Sequence, residues 1–176
     1  NQILNVKTIQ ILFYLNKYEE LKEISNLVLK DDLKNYSFYN DVLKINSNIL
    51  LFNNKEDELN QYSHAMFKLF QNKRTESIEI LNSINNNNID INDKIKYDLS
   101  YLYLMQGEIE NALEALDNIN ENSAFTESSL LLKAEIYDHI LNNKAQAVEI
   151  YLFLLDNFPN SIHYEAIRLR LRDLAS

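Results

Sequence analysis

Three histidines are the side chains in this sequence best suited to acid–base or metal chemistry, and their spacing supports neither. His64, His139 and His163 are scattered along the chain, and none belongs to an H-E-x-x-H or other metal-ligand pattern. We expect His139 on a helix, as an exposed or groove-lining side chain. The sequence therefore predicts no metal site and no cofactor.

The composition removes several other kinds of catalytic site. The chain has one glycine and no cysteine in 176 residues, so phosphate-binding loops, dinucleotide fingerprints, nucleophile elbows and thiolate chemistry cannot be built. Paired acids such as Glu108 with Glu110, and Asp31 with Asp32, are expected at helix starts, where carboxylates favour the positive end of the helix dipole. We therefore predict that this chain is not an enzyme.

Negative charge is concentrated in one part of the chain. The formal net charge is −9, and eleven acids face only three lysines between Asp90 and Asp138. Such a surface repels nucleic-acid phosphates and anionic membranes, and no apolar run approaches the roughly 20 residues of a transmembrane helix. The expected partner is another protein or peptide, or a second copy of this chain, with no nucleic acid and no membrane insertion by this segment.

The elements that carry these side chains are predicted to be helices. The chain has one glycine and one proline, whereas β-rich proteins need many tight turns and so many of these residues. Long helices joined by short polar loops are the alternative. The run Asn85 to Asn88 is expected to be one of those loops.

A 35-residue period runs through about residues 58–160 of the chain. Small residues recur at Ser77, Ala112 and Ala147, with larger apolar residues four and seven positions after each, which is the spacing of one helix face. A second amphipathic helix precedes this one in each period. Between the two helices lie Asn72, Gly107 and Asn142, residue types that tolerate the left-handed backbone at a helix end.

The period and its residues resemble the tetratricopeptide repeat. The segment LSYLYLMQGEIENALEALDNI matches that family along its length, through Leu99, Tyr103, Gly107, Ala112, Leu116 and Ile119. The next unit matches through Tyr137, Ala147, Tyr151 and Pro159, and Ala134 beside Glu135 suggests a one-residue insertion in its turn. The preceding unit keeps Ala65 and Leu69 but has Ser77 in place of the packing alanine. The resemblance implies an all-α, right-handed α-solenoid of antiparallel helix pairs.

We expect one continuous array with the following organisation. Residues 1–57 form irregular or partial repeats, with a helix pair hinged near Asn16 and one extra helix around Tyr39 to Phe52. Three repeat units follow at about 58–90, 93–125 and 128–160, and a capping helix, begun by Asn160 or Ser161, fills 161–176.

The cellular setting is open at this stage. The segment FPNSIHYEAIRLRLRDL resembles the ends of bacterial tetratricopeptide proteins of the cell envelope, which implies a bacterial cell-envelope setting. The periplasm and the cytoplasm of a bacterium both stay open as the compartment. Because the chain begins at Asn1 without an initiator methionine, we expect a fragment or a processed product.

The resemblance also implies a concave groove lined by the first helix of each pair. The residues carried over to that groove are Tyr62, Met66, Phe70, Tyr97, Tyr101, Leu104, Met105, Asp138 and His139. For each of them the alternative is packing of helix against helix. Acidic groove edges favour a partner with basic residues around an apolar core.

Three hypotheses for function remain open from the sequence. The leading one is a non-catalytic scaffold that binds a partner segment in the groove. The second is a structural spacer or self-association array within a larger protein. The third is a recruiting domain of an enzyme that lies outside this segment.

Overall fold

The fold is built of helices throughout the part of the chain that the structure describes. The computed structural model describes residues 2–30 and 37–175, and Asp31 and Asp32 lie outside these ranges. Within them the backbone forms ten α-helices and no β-strand. The predicted all-α class of helix pairs is confirmed. The chain divides into two compact units, Asn1–Asn87 and Asn88–Ser176, and the prediction of one continuous array, which concerns how they join, stays a prediction.

The first unit contains two helix pairs and one further helix. Its helices are α1 (Gln2–Tyr14), α2 (Tyr18–Lys30), α3 (Ser37–Leu51), α4 (Glu56–Phe70) and α5 (Arg74–Ser83). α1 packs on α2, α4 packs on α5, and α3 contacts both members of the first pair. The predicted pair hinged near Asn16 and the extra helix around 39–52 are both confirmed.

The second unit contains two helix pairs and a final single helix. Its helices are α6 (Ile89–Gln106), α7 (Ile109–Asp117), α8 (Thr126–Glu135, continued by a π-helical turn, Ile136–Ile140), α9 (Lys144–Asn157) and α10 (Tyr164–Leu174). α6 packs on α7, α8 on α9, and α10 on α9. The helix predicted for the end of the chain is therefore present.

Left-handed residues make the tight turns within the pairs. Asn72, Gly107 and Asn142 have φ values of 61°, 79° and 51°, as their types predicted. Lys73 N–H donates to the Lys68 carbonyl and Glu108 N–H to the Tyr103 carbonyl, both at 2.9 Å, so each turn satisfies a carbonyl that the helix end leaves free. Asn16 and Asn54 adopt the same conformation, with φ values of 58° and 62°.

Each of the three periodic helix pairs buries one small residue on each of its helices. Three pairs of small residues, one on each helix, have side chains with no solvent exposure: Ala65 with Ser77, Ser100 with Ala112, and Ala134 with Ala147. A larger side chain at any of these positions would push the helices apart. Where serine replaces the packing alanine, the Ser77 hydroxyl donates to the Ala65 carbonyl at 2.9 Å, so the buried polar group is satisfied.

The one-residue insertion lies in a different place from the one predicted. We expected it in the turn of the last unit, but the extra residue lies inside the helix, as the π-helical turn Ile136–Ile140. The Leu141 N–H donates to the Ile136 carbonyl at 2.9 Å, five residues back, which absorbs one residue without breaking the helix. Ala134 thereby keeps its buried position and Asn142 keeps its place in the turn.

The start of the last helix also differs from the prediction. Neither Asn160 nor Ser161 is its N-cap, because α10 begins at Tyr164 after His163. The Ser161 hydroxyl instead accepts the His163 N–H at 2.9 Å and donates to the Glu127 carboxylate. Two residues that would have formed the first helical turn therefore form a separate turn, consistent with a proline at 159 that stops the preceding helix.

The asparagine run between α5 and α6 is a loop, as predicted. Its last residue caps the following helix, since the Asn88 side-chain oxygen accepts the N–H groups of Asp90 at 2.9 Å and Ile91 at 3.2 Å. This satisfies two of the amide groups that a helix start leaves without partners. The run serves helix initiation through this one side chain.

Candidate partner-binding site

One exposed stripe of large side chains lies on α6. Tyr97, Tyr101 and Met105 are spaced four residues apart, and Tyr101 and Met105 are 44% and 51% exposed. The two tyrosine rings pack edge to face with centroids 5.2 Å apart, and their hydroxyls lie 3.2 Å from each other. Such residues supply large contact area with a polar tip, the chemistry enriched where proteins bind each other.

The inner part of this stripe belongs to the core. Tyr97 is half-buried against Phe125, with ring centroids 6.0 Å apart, and Leu104 is half-buried against the cluster around Leu116. Burial, followed by the neighbouring Tyr101 hydroxyl, raises the pKa of Tyr97 well above its ordinary value of 10.0. Tyr97 and Leu104 therefore anchor this part of α6 in the core, while Tyr101 and Met105 are exposed to solvent.

An apolar groove lies between α1 and α4 in the first unit. It has a volume of about 310 Å³, and its apolar lining is Ile11, Tyr14, Leu15, Phe67 and Phe70. The Tyr14 ring contacts both phenylalanines, with centroids 5.4 Å from Phe67 and 5.6 Å from Phe70. Phe70 is 67% exposed. An aromatic side chain this open beside an apolar groove is typical of a binding surface.

Sequence reasoning named only one residue of this groove, Phe70. The α1 residues were missed because α1 was assigned to an irregular unit. A signal was present in its pattern: Val6, Ile9 and Phe13 are buried, while Leu4, Ile11 and Leu15 on the other side are exposed. A helix that is apolar on both sides has more apolar surface than one core can cover.

Tyr62 and Met66 lie deeper in α4 than Phe70. Tyr62 has no solvent exposure, and its ring packs on Phe52 with centroids 5.0 Å apart. Met66 is half-buried. A fully buried side chain touches no partner in this conformation, so Tyr62 packs in the core and does not line a groove.

Asp138 is held inside the second unit. Both oxygens of its buried carboxylate accept hydrogen bonds of 2.7 Å from the Arg170 guanidinium, and the Tyr151 hydroxyl lies 3.3 Å from Oδ2. The Arg170 hydrogen bonds hold the pKa of Asp138 below its ordinary value of 3.8. Burial, with the nearby Asp138 charge, raises the pKa of Tyr151 to about 12. Asp138 thus joins α8 to α10 and follows the packing alternative.

His139 is exposed beside this buried cluster. Its Nε2 lies 3.6 Å from Asp138 Oδ2, and it borders a pocket of about 220 Å³ together with Glu135 and His163. In the ranges that the structure describes, no group of three or more His, Asp or Glu side chains is placed to hold a metal ion. The described helices likewise include none that is both long and apolar enough to cross a membrane.

The sequence model of the tetratricopeptide repeat family matches residues 128–161. These residues are α8 from its third residue onward with its π-helical turn, α9 and the start of the loop before α10. The chain contains a tetratricopeptide repeat. No curated protein and no solved structure matches the chain.

The geometry of the matched tetratricopeptide repeat recurs in two other helix pairs. α4 with α5 and α6 with α7 have the same pair of fully buried small residues and the same left-handed residue in the turn. Phe70 belongs to the first helix of one pair, and Tyr101 and Met105 belong to the first helix of another. We call the exposed side chains Phe70, Tyr101 and Met105, with the α1–α4 groove, the first-helix surfaces.

Proposed function

We propose that this chain is a non-catalytic protein-interaction module that binds partner segments on its first-helix surfaces. Tetratricopeptide repeats mediate protein–protein interaction. The observation that carries the proposal is the exposure of Phe70, 67%, at the mouth of the apolar α1–α4 groove. The Phe70 ring lies beside Ile11 and Leu15, which are also exposed. Such an exposed aromatic side chain supplies binding energy when a partner covers it.

The volume of the groove indicates the size of what it binds. At about 310 Å³, the groove lies at the lower end of the range for small-ligand pockets, roughly 300–1,000 Å³. It accommodates one or two apolar side chains of a peptide, with Lys7 and Gln10 as its polar edge. A partner segment with a bulky apolar anchor fits this surface best.

Selection from a displayed peptide library tests the proposal. The full chain is the bait, and the affinity of each selected peptide is then measured with Phe70→Ala. Loss of an exposed aromatic anchor is expected to weaken binding about tenfold or more. Leu50→Ala is the matched control, since Leu50 is also a largely exposed apolar residue of the first unit and lies outside the groove.

Two results would contradict the proposal. One is a set of selected peptides that bind Phe70→Ala, Tyr101→Ala and Met105→Ala as tightly as the unaltered chain. The other is a stable dimer in sedimentation velocity that Phe70→Ala dissociates, since the groove would then be filled by a second copy.

A further inference from the structure

A larger cleft lies between the ends of α7, α8 and α9 in the second unit. Its volume is about 580 Å³, and it shares no lining residue with the first-helix surfaces. We call it the α7–α9 cleft. Its apolar lining is Leu116, Ile119, Leu130, Phe153 and Phe158. The cleft is therefore formed by different residues, and mostly by different helices, from the surface already proposed for partner binding.

Phe153 is the open apolar wall of this cleft. Its side chain is 50% exposed, although the residues that flank it on the inner side of α9, Ile150 and Leu154, are buried. Leaving half an aromatic ring in water forgoes the free energy that its burial would supply. A ligand that covers the ring recovers that free energy.

The polar rim of the cleft carries net negative charge. Asp117, Glu121 and Lys133 line it, and the Lys133 ammonium donates a hydrogen bond to the Asp117 carboxylate. Within the described residues no cation lies within ion-pair distance of the Glu121 carboxylate. One unneutralised carboxylate therefore lies beside the apolar wall.

The surroundings reinforce this charge. The segment from Asp90 to Asp138 contains eleven acids and three lysines, and all three lysines are already paired with aspartates of the same unit, as Lys94–Asp98, Lys96–Asp93 and Lys133–Asp117. Asp138 of this segment is likewise paired with Arg170. The other carboxylates of the segment create a negative field that attracts cations and repels anions. A second copy of this chain, with its own net charge of −9, is disfavoured as the occupant.

We propose that the α7–α9 cleft binds a basic segment of a partner protein. An apolar side chain of the segment contacts Leu130 and Phe153, and an arginine or lysine beside it pairs with Glu121. This site is separate from the first-helix surfaces, and it would bind a basic segment even if those surfaces bound no partner.

An NMR titration of the full chain with two small probes tests the proposal. The probes are the capped tripeptides acetyl-Arg-Leu-Arg-amide and acetyl-Glu-Leu-Glu-amide, which share the apolar residue and differ in charge. The basic probe is expected to shift the backbone amide signals of Ser129, Leu130 and Phe153, and the acidic probe to leave them unchanged. Raising the salt concentration is expected to weaken the basic probe's binding, since exposed charges are screened.

Matched variants assign the effect to the cleft. Phe153→Ala is expected to weaken binding of the basic probe about tenfold, while Leu152→Ala, an equally exposed apolar residue of α9 outside the cleft, changes it less than about twofold. Glu121→Gln is expected to weaken binding about threefold. Glu110→Gln, an exposed carboxylate of α7 outside the cleft, is its control.

Three outcomes would overturn the proposal. If the acidic probe caused equal shifts, charge would not determine which segment the cleft binds. If Phe153→Ala and Leu152→Ala weakened binding of the basic probe equally, the α7–α9 cleft would not be the binding site. A dimer in sedimentation velocity that Phe153→Ala dissociates would make a second copy the occupant. Circular dichroism on every variant establishes that a lost signal reflects binding and not unfolding.

Discussion

Asp138 is a buried, charged residue that joins two helices of the second unit. Its carboxylate lies inside the second unit and receives two hydrogen bonds from Arg170 on α10. A buried carboxylate without such a partner destabilises a fold strongly. The Arg170 guanidinium therefore determines whether α10 can stay docked on the helices before it.

Acid is expected to weaken the second unit through Asp138. Because its pKa is lower in the folded chain than the ordinary 3.8, the carboxylate stabilises the fold above about pH 4, and this stabilisation is lost as the pH falls through the lowered pKa. Denaturant titrations of the unaltered chain and of Asp138→Asn at a series of pH values check this. The stability difference between them should shrink below about pH 4, and a constant difference would contradict the assignment.

Alkali is expected to act through Tyr151. Its pKa is raised to about 12 in the folded chain from an ordinary 10.0, so the fold favours the neutral phenol. Stability from this preference is complete below about pH 10 and is lost as the pH rises towards 12. Tyr151→Phe should show a smaller alkaline loss of stability in thermal melts than the unaltered chain, because it lacks this phenol. An identical alkaline loss would show that Tyr151 does not titrate as stated.

Gly107 tests the role of the left-handed turn residue. Its φ is 79°, and a β-carbon there would have no atom beyond the adjacent chain within 4 Å, so backbone strain is what opposes an alanine. Gly107→Ala is expected to lower the free energy of unfolding by about 1 kcal/mol. Gly107→Asn should lower it less, since asparagine holds this conformation at four other positions of the chain. Urea unfolding of both variants measures the two losses of stability. An equal loss in Gly107→Ala and Gly107→Asn would contradict the explanation.

At the scale of the helix, the π-helical turn explains how the last repeat keeps its register. Ala65 and Asn72 are seven residues apart, as are Ser100 and Gly107, whereas Ala134 and Asn142 are eight apart. The π-helical turn Ile136–Ile140 absorbs the difference. The buried small residue and the turn residue can then both occupy their standard places.

Deleting one exposed residue of that turn should be tolerated. Removal of His139 restores the seven-residue spacing, so α8 can continue as a regular α-helix to its turn. Circular dichroism is expected to show unchanged helix content and a cooperative melt. Deletion of Tyr103 from α6, which has no π-helical turn, is the control and should disrupt its pair. A collapse of helix content on removal of His139 would contradict this account of the insertion.

The docking of α10 depends on apolar packing as well as on Arg170. Ile167 is buried in a cluster with Ala134, Ala147, Ile150, Tyr151 and Leu154. Ile167→Ala is expected to destabilise the second unit by about 3 kcal/mol, because it leaves a cavity in this cluster. Leu169→Ala, at an exposed position of the same helix, should change stability by less than about 0.5 kcal/mol. Urea unfolding of both variants measures the difference.

At the scale of the whole molecule, the sequence predicted the helix pairs because one rule repeats. The buried small residues and the turn residues recur at a fixed period, so Ala112 and Gly107 indicate what Ala147 and Asn142 do. Asn16 lies 56 residues before Asn72 and so off that period, and its place as a hinge comes from the helix patterns on either side of it. The period carries no information on residues that depart from it.

Other features could not be predicted because they depend on long-range contacts. Asp138 was assigned to a groove from its place on a first helix, and only the packing of α10 reveals that Arg170 covers it. The α1–α4 groove needs two helices about fifty residues apart in sequence to meet. Whether Tyr62 lies in the core or in a groove likewise depends on Phe52, which directly follows the end of α3, outside the repeat pattern.

The central claim is that partner segments bind the first helices of the pairs. Hydrogen–deuterium exchange of the full chain, with and without a library-selected peptide whose binding requires Phe70, tests it most directly. The account predicts slower exchange in α1 and α4 on binding, with α5 unchanged. Protection confined to α5, or no change in any first helix while the peptide is bound, would contradict it.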